Sequence, residues 1–214
     1  VRADVARFMP EHFAEQLITD SREKDPQFGW LAESYVHEDA SPIPNIPADR
    51  PADLYRAGFD AIYGQYHILQ SYKNAQEIHD YVTDNLKLTH TLPPGKSIIG
   101  SFYTHDDLST MEHGGPLYGN FAASLMSALP MVNPYYIDGF ETGDPHQLNI
   151  FYYIDKPQGK SPELFFNVAN INKNRNENSE VLGKGSYIPL KVKEKGQDNK
   201  IMAFVRHLQG KTML

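Results

Sequence analysis

Lys96-Ser97-Ile98-Ile99-Gly100-Ser101-Phe102-Tyr103-Thr104-His105-Asp106-Asp107-Leu108 is the stretch that decides the fold. Its apolar residues Ile98, Ile99 and Phe102 follow the turn signal Pro93-Pro94-Gly95, the pattern of a buried parallel strand. The run then stops on His105, Asp106 and Asp107. In α/β folds the C-terminal ends of such strands carry ligands and chemistry. Read alone, Asp106 is equally a cap for the next helix, with His105 its hydrogen-bonded neighbour.

Outward from this stretch the chain alternates. Downstream, Gly114-Gly115-Pro116 predicts a loop, Tyr118 to Leu129 a helix, and Met131 to Ile137 another strand. Upstream, Asn74 caps a helix running to about Leu88, with Ile78, Tyr81, Val82 and Leu86 facing inward. Phe59 to Tyr63 and Phe28 to Ala32 read as strands, the second ending on Glu33. Ser41 to Pro51 is proline-rich and aperiodic, a loop. Pro10 opens a helix whose Phe13, Leu17 and Ile18 lie on one side, and Asp25-Pro26 ends it. Strand and helix in this alternation imply a parallel sheet.

Past Pro162 the pattern changes. Glu163 to about Asn170 reads as helix and dissolves into the polar run Asn172 to Ser179. Tyr187 to Val192, Ile201 to His207 and Lys211 to Leu214 read as short strands of an antiparallel β domain. The expected division is an α/β part over 1–180 and the start of a β domain over 181–214. Val1-Arg2-Ala3-Asp4 begins as though inside a strand, and Lys211 to Leu214 ends as another forms, so the chain reads as a piece of a larger protein.

Composition narrows the function. Of the 214 residues 40% are hydrophobic and 22% charged, an ordinary globular balance. Twenty basic against 27 acidic residues give a net charge of −7 with no basic run, so neither nucleic acid nor a membrane surface is an expected partner. No apolar run approaches the roughly 20 residues of a membrane span. The absence of cysteine excludes disulfides and thiolate metal sites within the chain.

Three strand ends carry a carboxylate: Asp4, Glu33 and Asp106. Read singly, Asp4 is a helix cap and Glu33 a solvated loop residue. Side chains at successive strand ends of an α/β barrel converge on one face, however, and two carboxyl groups in different settings are what retaining glycosidic cleavage needs.

Together these segments resemble the α-amylase superfamily, glycoside hydrolase family 13. Val1-Arg2-Ala3-Asp4-Val5-Ala6 is similar to the fourth-strand motif, with an Arg two residues before the nucleophilic Asp. Leu31-Ala32-Glu33 resembles the fifth-strand motif with the acid/base Glu, and Phe102-Tyr103-Thr104-His105-Asp106 the seventh-strand His-Asp motif. Ala57 to Tyr63 looks like the sixth strand, and Ala128 to Tyr136 with Gly139 to Gly143 like the eighth. Gly185-Ser186-Tyr187 and Met202 to Arg206 resemble the entry into the C-terminal β domain. The fold so implied is α/β: the second half of a (β/α)8 TIM barrel, strands 4–8, followed by the beginning of an antiparallel β-sandwich.

The resemblance implies an α-glucan or maltooligosaccharide substrate, no cofactor, and roles for named residues. Asp4 is the nucleophile, Glu33 the acid/base and Asp106 the transition-state-stabilising carboxylate. Arg2 keeps Asp4 charged, His105 binds ring hydroxyls, and Tyr35, Tyr63 and Tyr103 are candidates for stacking on sugar faces. The apolar Trp30-Leu31-Ala32 before Glu33 is expected to favour its protonated acid. Arg7-Phe8 stand where many amylases have Lys-His, so calcium is not expected, and Thr104 replaces the usual Asn. The first three strands and another Asp are missing from the chain, which by itself is expected to be inactive. Met9-Pro10 and Phe13 resemble the maltosyltransferase branch, so transglycosylation is the alternative. A metal-dependent hydrolase using His105, Asp106, Asp4 and His37 or His113 is a lesser one, as is a sugar-binding homologue without catalysis.

Overall fold

The computed structural model describes residues 1–34, 51–65, 72–89, 95–100, 102–130, 132–146, 161–193 and 200–214. Five strands alternate with helices through the first two thirds: β1 (Arg2–Ala3), α1 (Glu11–Lys24), β2 (Leu31–Glu33), α2 (Pro51–Ala57), β3 (Ala61–Gln65), α3 (Ala75–Thr89), β4 (Ser97–Gly100), α4 (Thr110–Ala128) and β5 (Val132–Pro134). Then come α5 (Pro162–Glu177), α6 (Ser179–Lys184) and the strands β6 (Ser186–Leu190), β7 (Ala203–Leu208) and β8 (Lys211–Met213). The expected proline-rich loop over 41–50 lies outside the described residues. The chain divides into two compact units, residues 1–65 with 88–100, and residues 66–87 with 101–214.

In the first unit β1, β2, β3 and β4 pair in parallel and in chain order. Their register sets Arg2 beside Leu31 and Glu33 beside Tyr63. Beneath the sheet Ala3, Ala6, Ala14, Ala32, Ile18, Phe59 and Ile62 form the core, with Trp30 packed against it. Helix α1 turns Ala14 and Ile18 inward, while Phe13 and Leu17 are 51% and 37% exposed. This corrects the face expected from the larger residues. Ala14 and Ile18 sit one turn apart, and a small side chain at Ala14 suits a core built largely of alanines. Ile18 and Phe59, 2% and 0% exposed, each contribute about 1.5–3 kcal/mol by burial.

The N-terminal edge of this sheet is held by ions. Asp60, just before β3, accepts the Trp30 N–H at 2.8 Å and pairs with Arg22 at 2.8 Å and Lys96 at 3.5 Å. Burial works against its charge, but these donors outweigh that effect and hold its carboxyl below the usual range. One cluster thus fixes the starts of β2, β3 and β4.

In the second unit Asn74 caps α3, accepting the Glu77 N–H at 3.0 Å, and Ile78, Tyr81 and Val82 are buried as the periodicity predicts. Helix α4 begins earlier than expected, at the cap Ser109, whose Oγ accepts from the Glu112 N–H at 3.2 Å. The predicted Gly-Gly-Pro loop is a kink within it. Gly115 adopts φ 69°, ψ −164°, a conformation open to glycine, and Pro116 restarts the helix. The polar run over 172–179, expected to be irregular, is helical except at Asn178. Its polar residues face solvent while Arg175 reaches inward to the carbonyls of Ser127 and Val132.

Strands β6, β7 and β8 form the expected antiparallel sheet, and Gln209 and Gly210, both at positive φ, make the tight turn between the last two. The 180/181 boundary falls inside α6. Arg206 on β7 is 1% exposed and donates to the carbonyls of Ala128, Gly185 and Ser186 at 2.6, 2.7 and 3.2 Å. Burial first, then the like charge of Arg175, lowers its pKa to about 10. Arg175 and Arg206 therefore satisfy the carbonyls of Ser127 and Ala128 that the end of α4 leaves open. No helix among the described residues is long and apolar enough to cross a membrane.

Candidate active site

Asp4 follows β1 and Glu33 closes β2, so parallel pairing brings their strand ends together on the edge opposite the Asp60 cluster. Arg2 joins them. Its Nη1 is 2.8 Å from Asp4 Oδ1 and its Nη2 is 2.5 Å from Glu33 Oε1. The guanidinium carbon lies 5.5 Å from the centre of the Tyr63 ring, a cation–π contact that holds it from below. Burial opposes the charge on Arg2, and the two carboxylates, Glu33 foremost, outweigh it and raise its pKa.

The two acids differ in exposure. The Asp4 side chain is 71% exposed and that of Glu33 is 8% exposed. Glu33 is not in the apolar setting expected from Trp30-Leu31-Ala32, because both its oxygens accept hydrogen bonds: Oε1 from Arg2, and Oε2 from the Val5 N–H at 2.9 Å. Alternation along a strand explains this. Ala32 points into the core, and Glu33 points the other way. Val5 itself stands at φ 47°, ψ 39°, a left-handed conformation that costs a β-branched residue about 1–3 kcal/mol. Arg7, where many amylases have Lys, is 7% exposed, with its guanidinium 4.6 Å from the Phe8 ring centre.

Asp106 and His105 belong to the second unit. The capping alternative for Asp106 fails, because its neighbour Asp107 makes the turn. Asp107 Oδ2 accepts from the Thr104 N–H at 2.8 Å and from the Thr104 hydroxyl at 3.0 Å, and Ser109 caps α4. Asp106 projects with its side chain 64% exposed, 3.4 Å from His105 Nε2. Thr104 Oγ1 also accepts the Asp106 N–H at 3.2 Å, so the Thr found in place of Asn anchors this turn.

The tyrosines do not present open faces. Tyr63 is 2% exposed and carries the Arg2 guanidinium, and Tyr103 is 5% exposed and stacks on Phe140 at 6.1 Å. Burial raises the pKa of Tyr103. Sugar stacking on these two rings is therefore not supported by their packing, and Tyr35 lies outside the described residues. Sequence reasoning missed Val5, which acts through its backbone, and Ser109, which the pattern Ser109-x-x-Glu112 signals as a helix start. Among the described residues no cluster of His, Cys, Asp or Glu is placed to hold a metal ion.

No protein-family profile matches the chain. No curated protein sequence matches it either. Solved structures do. An α-amylase from Lactobacillus plantarum superposes over 99% of this chain and 50% of its own, with a TM-score of 0.70 at 21% identity. The fold is that of an α-amylase. A maltogenic α-amylase from Thermotoga neapolitana matches over 97% of the chain and 45% of its own, with a TM-score of 0.68 at 18% identity. A cyclomaltodextrinase gives 0.67 at 15% identity over 96% of the chain and 34% of its own. The chain spans half or less of the length of these amylase-fold structures. The match covers the second half of the α-amylase barrel and the three-stranded sheet after it, as the sequence motifs implied.

Proposed function

We propose that the protein containing this chain is a retaining α-glucan-active glycosidase of the α-amylase superfamily. The observation that carries the reading is the sharing of one guanidinium, Arg2, by Asp4 and Glu33. Two carboxyl groups tied to one fork favour the separation of about 5 Å that retention uses over the roughly 6.5–9.5 Å of an inverting pair. The substrate class comes from the matching structures, which are α-amylases and a cyclomaltodextrinase.

In this reading the exposed Asp4 attacks the anomeric carbon while the Glu33 carboxyl gives its proton to the departing glycosidic oxygen. A covalent glycosyl–Asp4 ester forms as the glycosidic C–O bond breaks. Glu33, now a carboxylate, takes a proton from water, whose oxygen displaces Asp4. Glu33 must free one oxygen to carry its proton, and Arg2 can release Oε1 because Asp4 remains as its second partner. Asp106 and His105 hydrogen-bond the sugar hydroxyls, more strongly as the ring flattens.

The test is proton NMR of maltooligosaccharide cleavage by the protein containing this chain. The first-formed reducing end should be the α-anomer, and β-anomer would refute retention. Products longer than the substrate would identify the maltosyl-transfer alternative.

A further inference from the structure

The strain at Val5 lacks an obvious structural return. Val5 is 45% exposed, so apolar burial does not offset a left-handed backbone that glycine would adopt freely. What the conformation does provide is a change of course for the chain as it leaves β1. The Val5 carbonyl accepts the Phe8 N–H at 3.0 Å, starting the 3-10 turn Ala6–Phe8, while the Val5 N–H, aimed by the Asp4–Val5 peptide at the end of β1, reaches across the strand ends to Glu33 Oε2 at 2.9 Å. That bond joins the residue after one proposed catalytic carboxylate to the side chain of the other. It is a donor to a carboxylate, among the stronger hydrogen bonds a backbone makes.

We propose that Val5 is a positioning residue. Its backbone N–H fixes Oε2 of Glu33, so that Oε1, the oxygen shared with Arg2, is the one that carries the proton to the glycosidic oxygen. This deepens the acid/base assignment of Glu33 and rests on it. With Oε2 held by a main-chain donor that cannot rotate away, exchange of partners is confined to Oε1, where Arg2 can turn to Asp4.

The test compares two substrates in the protein containing this chain. Maltooligosaccharide cleavage needs the Glu33 proton, whereas the first burst of fluoride from α-glucosyl fluoride does not, because fluoride leaves unprotonated. The ratio of the two rates isolates proton delivery and does not depend on the folded fraction. Val5 is replaced by its α-hydroxy acid, which exchanges the N–H for an ester oxygen at constant shape, and separately by glycine, which keeps the N–H. The ester should lower the ratio about tenfold, the weight of one hydrogen bond to a charged group, and Val5→Gly should hold it near the parent value. An unchanged ratio in the ester, or an equal fall in Val5→Gly, would overturn the positioning role. Glu33→Gln serves as the control and should abolish the ratio. If it does not, the acid/base reading fails and takes this inference with it.

Discussion

Arg2 Nη2 and Glu33 Oε1, on neighbouring parallel strands, stand 2.5 Å apart, while the other arm of the same guanidinium holds Asp4. One cation therefore fixes a pair of acids whose exposures differ widely. Arg2 is itself only part-buried, so the pair is partly screened by solvent.

Removing that cation leaves Glu33, 8% exposed, without its charged partner while the Val5 N–H still donates to Oε2. Arg2→Leu should lower unfolding stability by about 1–3 kcal/mol, read from the urea midpoint at constant slope. Arg2→Lys keeps the charge without the fork and should recover part of the stability, but not the paired geometry. A midpoint unchanged in Arg2→Leu would mean the bridge is energetically idle.

Arg206 answers to a different logic. Its three carbonyl partners lie around the end of α4 and the start of β6, and a methionine there fills space without donating. Arg206→Met should cost about 2–5 kcal/mol in thermal or urea unfolding, because buried acceptors lose their donors together. Arg175→Met should cost less, since it removes a partner from two carbonyls rather than three.

His79 gives the second unit a pH dependence. Its Nδ1 lies 2.5 Å from the Tyr187 hydroxyl, joining α3 to β6, and burial lowers its pKa despite the nearby Asp80. With the folded pKa below the unfolded value of about 6.5, the unfolded chain takes up the proton first as pH falls. Stability should thus be complete above about pH 6.5 and decline below it, down to the folded pKa. Unfolding midpoints at pH 7.5 and 5.5 should differ in the parent and differ less in His79→Phe.

Much of this was legible in the sequence, for reasons tied to particular residues. Ile98 and Ile99 mark β4 because apolar runs behind a Pro-Gly turn have few other uses, and the carboxylates at the strand ends stand out because β1 and β2 are short. In α1 the larger residues Phe13 and Leu17 point to the wrong face, because the core of alanines takes the small Ala14 instead. The helix over the polar run of α5 was hidden because its inward anchor is an arginine. The Val5 contact was illegible in principle: it is made by a main-chain N–H, and a valine gives no hint of a left-handed backbone.

Trapping the covalent intermediate separates nucleophile from acid. The protein containing this chain, and its Glu33→Gln and Asp4→Asn variants, are treated with α-glucosyl fluoride and digested for mass spectrometry. Glu33→Gln should accumulate a glucosyl adduct on the peptide containing Asp4, because fluoride departs without a proton and the second step lacks its base. Asp4→Asn should show none. An adduct on Glu33, or cleavage of maltooligosaccharides undiminished in Asp4→Asn, would contradict the assignment.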